Sequence, residues 1–304
     1  MERKGCLISF VILHYNAIEE TINCVNSIKE KIDTANFRIV IVDNASPNHT
    51  GEVLKKRYIA DEKIVVIIND TNFGFAKGNN VGYKYAVEDL KSDFVCVMNN
   101  DTLLVQDDFF DVIQKEYETS NFGVMGPKII LKNGKINVIM RLLPDVTFFE
   151  NEIRFHQKEM RFEKMHLHYV VSAIRLAKIL ICKCLRIKPD NRYSEYETSD
   201  HLDERHENII LHGCCLVFSP HYIQLYREAF HPDTFLYKEE ELLFLRCQKK
   251  ELVTVYNPKL LIKHLEDVAT NSVTRKRKEK RIAWHRYQID SLKVLVKELG
   301  IDNI

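Results

Sequence analysis

Four short apolar runs dominate the first hundred residues and leave few folds open to the chain. Cys6 to Leu13, Phe37 to Val42, Ile64 to Ile68 and Phe94 to Met98 are rich in β-branched residues and are bounded by polar or turn residues, so they read as strands buried on both faces. Between the first two, Ile22, Val25, Ile28 and Ile32 recur at helical spacing, which predicts an amphipathic crossover helix. A further helix is expected from about Phe75 to Leu90. Strand, helix, strand, helix is the order of an α/β domain whose mostly parallel central sheet carries helices on both faces.

Composition agrees with a large buried core: 45% of the 304 residues are apolar. Lys plus Arg number 44 against 43 Asp plus Glu, so net charge gives no general attraction to nucleic acid. None is expected as a partner, and the basic clusters lack the interleaved aromatics that stack bases. The eight cysteines form no Cys-x-x-Cys pair. Cys6, Cys24, Cys96 and Cys247 lie in apolar stretches, where a thiol behaves as a small hydrophobe, and this predicts a reducing, cytoplasmic setting. The basic Met1 to Lys4 start before an apolar run has the outline of a signal peptide. His14-Tyr15-Asn16 follows that run in place of small residues, so a strand is the better reading. No stretch reaches the roughly 18 uncharged apolar residues of a membrane-spanning helix.

Ligands of such sheets bind where loops converge at the carboxyl ends of the strands. Polar residues gather there: Asn16 after the first strand, Asp43-Asn44 at the second and Asn99-Asn100-Asp101 at the fourth, with Asn72 a few residues beyond the third. A strand-end Asp43 can accept from a base or ribose hydroxyls, or can simply cap the next helix. Gly74, Gly78 and Gly82 open a helix and suit either a backbone that approaches an anion or a helix packed closely on the sheet. Asp101 with neighbouring amide oxygens suits a hard divalent cation that takes its remaining ligands from phosphate and water; alone, a strand-end Asp is commonly a turn residue.

The chain divides at changes of pattern. Residues 1–138 hold the regular first half. Residues 139–208, rich in His, Lys, Arg and Glu around the apolar and basic run Tyr169 to Ile187, read as a helical insertion. In 209–272 a strand is expected over Ile209 to Ser219, then helices near Tyr222 and over Glu240 to Lys249, then two short strands at Val253 to Tyr256 and Leu260 to His264. A basic C-terminal helix occupies 273–304, opening with six positive residues in the seven from Arg275 to Arg281.

In order, Tyr15-Asn16, Val42-Asp43-Asn44-Ala45-Ser46, Asn72-Phe73-Gly74-Phe75-Ala76-Lys77-Gly78-Asn79-Asn80 and Asn99-Asn100-Asp101 resemble the family 2 glycosyltransferases of the GT-A (Rossmann-like) fold, particularly their bacterial rhamnosyltransferase-like branch. The likeness spans roughly residues 6 to 131 and 209 to 271. It implies an inverting enzyme that moves a hexosyl or deoxyhexosyl group from a nucleotide diphosphate sugar to an acceptor hydroxyl, in the synthesis of a bacterial capsule, O-antigen or cell-wall glycan. Asn16, Asp43, Asn44, Asn72, Phe73, Gly74, Lys77, Asn79, Asn99 and Asn100 would bind the donor, with Asp43 on the base. Asp101 would bind Mg²⁺ or Mn²⁺, although the first two positions of its acidic motif are Asn here.

The second half is similar too. Gly213-Cys214 matches the family's glycine-containing strand at the acceptor site, and Asn257-Pro258 before His264 matches the strand that carries a histidine toward metal and diphosphate. Phe235-Leu236-Tyr237-Lys238-Glu239-Glu240 matches the segment that ends in the catalytic base. The register among Glu239, Glu240 and Glu241 is open; alignment on Phe-Leu-Tyr favours Glu240 as base, with Glu239 at the acceptor. Read without the resemblance, the three carboxylates are a solvated helix start placed favourably on the dipole, and His264 is a packed or surface histidine.

A saccharide or lipid-linked saccharide acceptor would bring the basic segments to the cytoplasmic face of the membrane as a peripheral contact, at roughly 1 kcal/mol per basic residue. The Tyr169 to Ile187 run alternatively packs on the core or pairs two subunits as a homodimer. Two rival functions stand beside transfer. A nucleotidylyltransferase would need a Gly-rich basic loop after strand one, where the chain has His14-Tyr15-Asn16-Ala17. A non-catalytic nucleotide-sugar-binding protein would keep the pocket without the base.

Overall fold

The computed structural model describes residues 5–32, 36–137, 140–167, 202–265 and 277–300, with the isolated positions 173 and 177 and the strand 197–198. Apart from positions 173 and 177, the Tyr169 to Ile187 run lies outside the described residues, as do residues 266–276, Arg275 and Lys276 among them.

Strands β1 (Ile8–His14), β2 (Phe37–Asp43), β3 (Ile64–Ile68) and β4 (Phe94–Asn99) are the four apolar runs. They are joined by α1 (Ile18–Lys31), α2 (Thr50–Arg57) and α3 (Gly74–Glu88). Then follow β5 (Thr102–Leu104), α4 (Phe109–Ser120), β6 (Val124–Leu131), β7 (Ile136–Asn137), β8 (Met140–Arg141) and α5 (Val146–Lys164). The remainder is β9 (Glu197–Thr198), β10 (His206–Glu207), β11 (Cys215–Phe218), α6 (Pro220–Leu225), α7 (Glu239–Gln248), β12 (Thr254–His264) and α8 (Arg277–Glu298).

Across the main sheet the order is β10-β12-β6-β11-β4-β1-β2-β3, with β5 on β12 and β7 on β6. The pairs β4-β1, β1-β2, β2-β3 and β6-β12 are parallel, and β11 runs against both β4 and β6. Six of the eight strands on this path therefore point one way. Their C-terminal ends form a single rim, where the expected polar residues collect.

Alternation of side chains sorts the core onto the two faces. Ile8, Phe10 and Ile12 of β1 pack with Cys24, Val25 and Ile28 of α1 and with Phe109 and Ile113 of α4. On the other face Val11, Val40 and Val42 meet Ala76 and Tyr83 of α3, Tyr222 of α6 and Leu243 of α7. A third cluster joins Phe149 and Ile153 of α5, Leu242 and Leu245 of α7, and Leu292, Leu295 and Val296 of α8. The first part of the expected insertion is thus a helix packed against the expected C-terminal helix, and both brace α7.

Two strand expectations change in detail. The strand expected over Ile209 to Ser219 is only β11, because Gly213 and Cys214 give their N–H groups to side chains instead of a ladder. The two short strands expected after Leu252 are one, β12, whose pairing with β6 shifts between Asn257 and Leu261. Pro258 has no N–H to donate, and Lys259 N turns to Asn257 Oδ1 at 2.9 Å, so the extra residues bulge without ending the strand.

Candidate active site

Residues from both halves of the chain meet at the rim. At the end of β2, Asp43 is buried; its Oδ1 accepts from the Ser46 hydroxyl at 2.5 Å and its Oδ2 from Ser46 N at 3.3 Å. The carboxylate therefore closes the Asp43–Ser46 turn and does not cap α2. Ser46 Oγ also accepts from Asn16 N at 2.9 Å, tying the loop after β1 to the loop after β2. Asn16 and Ala45 take φ of 64° and 59°, a left-handed backbone that non-glycine residues adopt at a cost and that clusters at functional sites.

The Asn44 amide is saturated. Its Nδ2 donates to Asn72 Oδ1 and to Gly74 O, each at 3.0 Å, while its Oδ1 accepts from Asn69 Nδ2 at 3.2 Å and Phe73 N at 3.0 Å. Asn72 Oδ1 also accepts from Gly74 N at 2.8 Å. These amides shape the Asn69 to Gly74 loop. The glycines of α3 meet protein atoms closely: a Cβ at Gly74, whose φ is +76°, would stand 2.1 Å from Phe235 O, and one at Gly82 would stand 2.5 Å from Val11 Cγ1. Close packing of α3 on the sheet and on the 235–237 segment accounts for both. Lys77 is exposed beside them, on the first turns of α3.

Some polar atoms on the rim are buried without a partner among the described residues: Asn16 Oδ1, Asn79 Oδ1, Glu239 Oε1 and His264 Nδ1. Buried polar groups are rarely left so, and these four come from the segments the sequence assigns to donor, acceptor and metal.

Beyond β4, Asn99 N donates to Cys214 O at 2.8 Å, and Asn100 Nδ2 donates to Thr21 Oγ1 at 3.1 Å. Asp101 follows, and β5 then pairs antiparallel with β12, setting Thr102 opposite His264. This register brings His264 Nε2 to 3.1 Å from Asp101 Oδ1. Two cis ligands about 2.1 Å from an octahedral Mg²⁺ lie about 3 Å apart, so the pair fits a divalent ion bound by one carboxylate and one imidazole. Among the described residues no group of three or more His, Cys, Asp or Glu side chains gathers as a metal-ligand set.

On the facing side, α7 begins after Tyr237 and Lys238, both with left-handed φ, at 73° and 66°. Glu240 Oε1 accepts from Gly213 N at 2.6 Å. Glu241 pairs with Lys238 Nζ at 3.1 Å. Glu239 is buried, and burial, reinforced by Glu240 and Glu241, raises its pKa to about 8. The three carboxylates are thus distinct: one held by a backbone N–H, one buried and protonated at neutral pH, one in an ion pair. Cys214 contributes backbone here, since its thiol is buried in the core and raised far above its usual pKa by that burial.

The sequence profile described as Glycosyl transferase family 2 matches residues 9–186, more than half of the chain. The chain belongs to glycosyl transferase family 2. Its mostly parallel sheet is the GT-A arrangement expected of that family.

Among relatives of this family 2 chain, the low-salt glycan biosynthesis hexosyltransferase Agl10 of Haloferax volcanii is 26% identical over 144 residues, 47% of this chain and 43% of that protein. Glycosyltransferase GlyG of Streptococcus pneumoniae serotype 4 is 23% identical over 119 residues, 39% of this chain and 38% of that one. The chain spans less than half the length of these relatives. Crystal structures of S. aureus TarS 1-349 are similar at 22% identity and a TM-score of 0.38. The complex with UDP-GlcNAc covers 46% of this chain and 38% of its own, and the complex with UDP covers 46% and 40%.

Two histidines at this rim were not among the residues the sequence pointed to. His14, fully buried at the end of β1, has Nδ1 2.7 Å from Thr21 Oγ1 and Nε2 2.8 Å from Thr50 Oγ1. Burial lowers its pKa, and Asp43 at 3.8 Å opposes the shift only in part. His212 lies with Nδ1 3.9 Å from Glu240 Oε1 and its ring 6.0 Å from that of His264. The available signal was its place directly before Gly213.

Proposed function

We propose that this chain transfers a sugar from a nucleotide diphosphate sugar to an acceptor hydroxyl with inversion at the anomeric carbon, and that Glu240 is the general base. The observation that carries the reading is the meeting, at one sheet rim, of a carboxylate anchored by the Gly213 N–H with the Asp101–His264 pair.

Inversion in one step needs a base that takes the acceptor hydroxyl's proton as its oxygen attacks. Glu240 suits that task among the three neighbouring carboxylates, because Glu239 is protonated at neutral pH and Glu241 is bound to Lys238. Glu239, as a buried acid, would donate a hydrogen bond to the acceptor, beside the Gly213-Cys214 backbone. At the other pole, Asp101 and His264 would hold Mg²⁺ or Mn²⁺, which when bound supplies Lewis-acid neutralisation of charge on the leaving diphosphate. Asn16, Asp43 and Asn79 would meet the nucleoside, with the open acceptors Asn16 Oδ1 and Asn79 Oδ1 receiving its donors. Asn44, Asn72, Phe73 and Gly74 shape the loop that receives the donor; Lys77, Asn99 and Asn100 complete that side.

The reading extends to synthesis of a bacterial surface glycan, with a hexosyl or deoxyhexosyl donor of the rhamnosyltransferase-like kind. The acceptor would be a saccharide or lipid-linked saccharide reached from the cytoplasmic face of the membrane. Among the described residues no helix is long and apolar enough to cross it. Any membrane contact at the basic start of α8 has competition from α5, since Arg281 Nη2 donates to Glu163 Oε2 at 2.9 Å and Lys278 Nζ lies 2.8 Å from His166 Nε2.

A thermal-shift screen of nucleoside diphosphates with and without Mn²⁺ identifies the base. Release of that nucleoside diphosphate from its sugar in the presence of saccharide acceptors then measures turnover. Glu240→Gln should lower turnover by at least about 100-fold and leave the nucleotide shift intact. A variant as active as the parent defeats the assignment, and a nucleotide-binding parent without turnover on any acceptor favours a non-catalytic binder.

A further inference from the structure

We propose that His212 is a positioning residue for Glu240: its imidazole fixes the 212–214 turn whose backbone N–H holds the base. The inference rests on the reading of Glu240 as general base and adds a residue that neither the family likeness nor the rim motifs point to.

The turn directs two successive N–H groups to two different side chains. Gly213 N donates to Glu240 Oε1 at 2.6 Å, and Cys214 N donates to His212 Nδ1 at 3.0 Å. A short bond from a backbone donor to a carboxylate is strong, and its direction follows the donor's peptide plane. Whatever fixes the Gly213 peptide therefore aims the base.

The far end of the turn is pinned by the sheet. Cys214 O accepts from Asn99 N at 2.8 Å and from Thr102 Oγ1 at 3.4 Å, and Cys215 begins β11 opposite Met98. On the near side, His212 closes the turn by accepting a backbone N–H two residues on, as Asn and Asp side chains do in Asx turns. Because that bond uses the lone pair of Nδ1, a neutral ring carries its proton on Nε2.

The imidazole also sits between the two poles of the site, with Nδ1 3.9 Å from Glu240 Oε1 and its ring edge-on to His264 at 6.0 Å. Glycine at 213 belongs to the same device, since a Cβ there would stand 3.2 Å from Glu240 Oε1. The device thus consists of an imidazole acceptor, a residue without a side chain and an anchored peptide, and its product is a carboxylate held in one place.

Two amides separate the ring's two nitrogens: Asn places an acceptor oxygen near the position of Nδ1, while Gln reaches the position of Nε2. For His212→Ala we expect kcat lower by about tenfold to a hundredfold, the loss typical of a catalytic group misplaced by a fraction of an ångström to one ångström. Donor KM, nucleotide affinity and melting temperature should stay close to those of the parent. His212→Asn should restore most of kcat, and His212→Gln should not. Parental kcat in His212→Ala, or restoration by Gln and not by Asn, overturns the proposal, the second outcome because it assigns the effect to Nε2. If the alanine variant does not fold, the contrast of Asn with Gln decides alone. Glu240→Gln separates the two levels: an active Glu240→Gln enzyme defeats the base assignment and this inference together, whereas an inactive one beside a fully active His212→Ala enzyme defeats only the inference.

Discussion

His264 Nε2 stands 3.1 Å from Asp101 Oδ1, although 163 residues separate the two in the chain. The closeness follows from register: β5 leaves Asp101 and runs antiparallel to the end of β12, so that Thr102 faces His264. Asp101→Ala and His264→Ala should each remove the Mn²⁺-dependent part of the nucleotide-induced thermal shift and weaken metal affinity by at least about 10- to 100-fold, the loss typical when only a ligand's hydrogen-bond partner is removed. Isothermal titration of Mn²⁺ into the nucleotide complex checks this. Unchanged Mn²⁺ dependence in both variants would remove the pair from the metal site.

Asn44 makes four hydrogen bonds from a buried amide and joins the end of β2 to the Asn69–Gly74 loop. Asn44→Ala leaves several of those buried partners unsatisfied, and should cost roughly 2–4 kcal/mol in urea unfolding. Weaker nucleotide binding should accompany the loss, because the loop is no longer held. A variant of parental stability would contradict the saturated arrangement.

Gly74 combines a φ of +76° with a carbonyl, Phe235 O, placed 2.1 Å from where a Cβ would lie. Phe75 N donates to that same oxygen at 2.7 Å, so this contact joins the Asn69–Gly74 loop to the segment that leads into α7. Gly74→Ala should destabilise by about 2 kcal/mol or more through backbone strain and displacement. It should also lower turnover beyond the loss of folded protein, as read from specific activity corrected for the folded fraction by circular dichroism.

Glu239 adds a pH dependence whose sign is fixed. Burial raises its folded pKa to about 8, from an ordinary value of 4.5, so between these values the native chain binds a proton that the unfolded chain has released. Stability from this group is then fully present below about 4.5 and is lost as pH rises toward 8. Glu239→Gln removes that loss. The melting temperature of the variant should gain on the parent as pH goes from 5 to 8, and parallel pH profiles would disprove the protonated state.

Much of the fold was legible in the chain because it depends on periodicity. Consecutive β-branched runs specify strands, and Ile22, Val25 and Ile28 specify α1; both signals are local. Burial on both faces holds for β1, β2 and β4 but not for β3, which lies at the sheet edge, is only partly buried and leaves Ile68 exposed, because edge position depends on strand order. The glycines of α3 were legible as a position of close approach, but not what they approach: Val11 and Phe235 are settled only by packing. His212 was hidden for the same reason, since an imidazole gains its role here from one N–H two residues ahead and one carboxylate 28 residues ahead.

The order of strands and helices, the polar residues at the strand ends and the family to which the chain belongs were therefore determined by the sequence itself, through side-chain spacing and motif order. Tertiary structure alone decided which polar atoms serve the frame and which face the rim. It turned Asn44 inward, set His264 against Asp101, and separated Glu239, Glu240 and Glu241 into a buried acid, an anchored carboxylate and an ion pair. The physical reason is that hydrogen bonds and desolvation depend on distances of a few ångströms between residues far apart in the chain, and no local pattern encodes those distances.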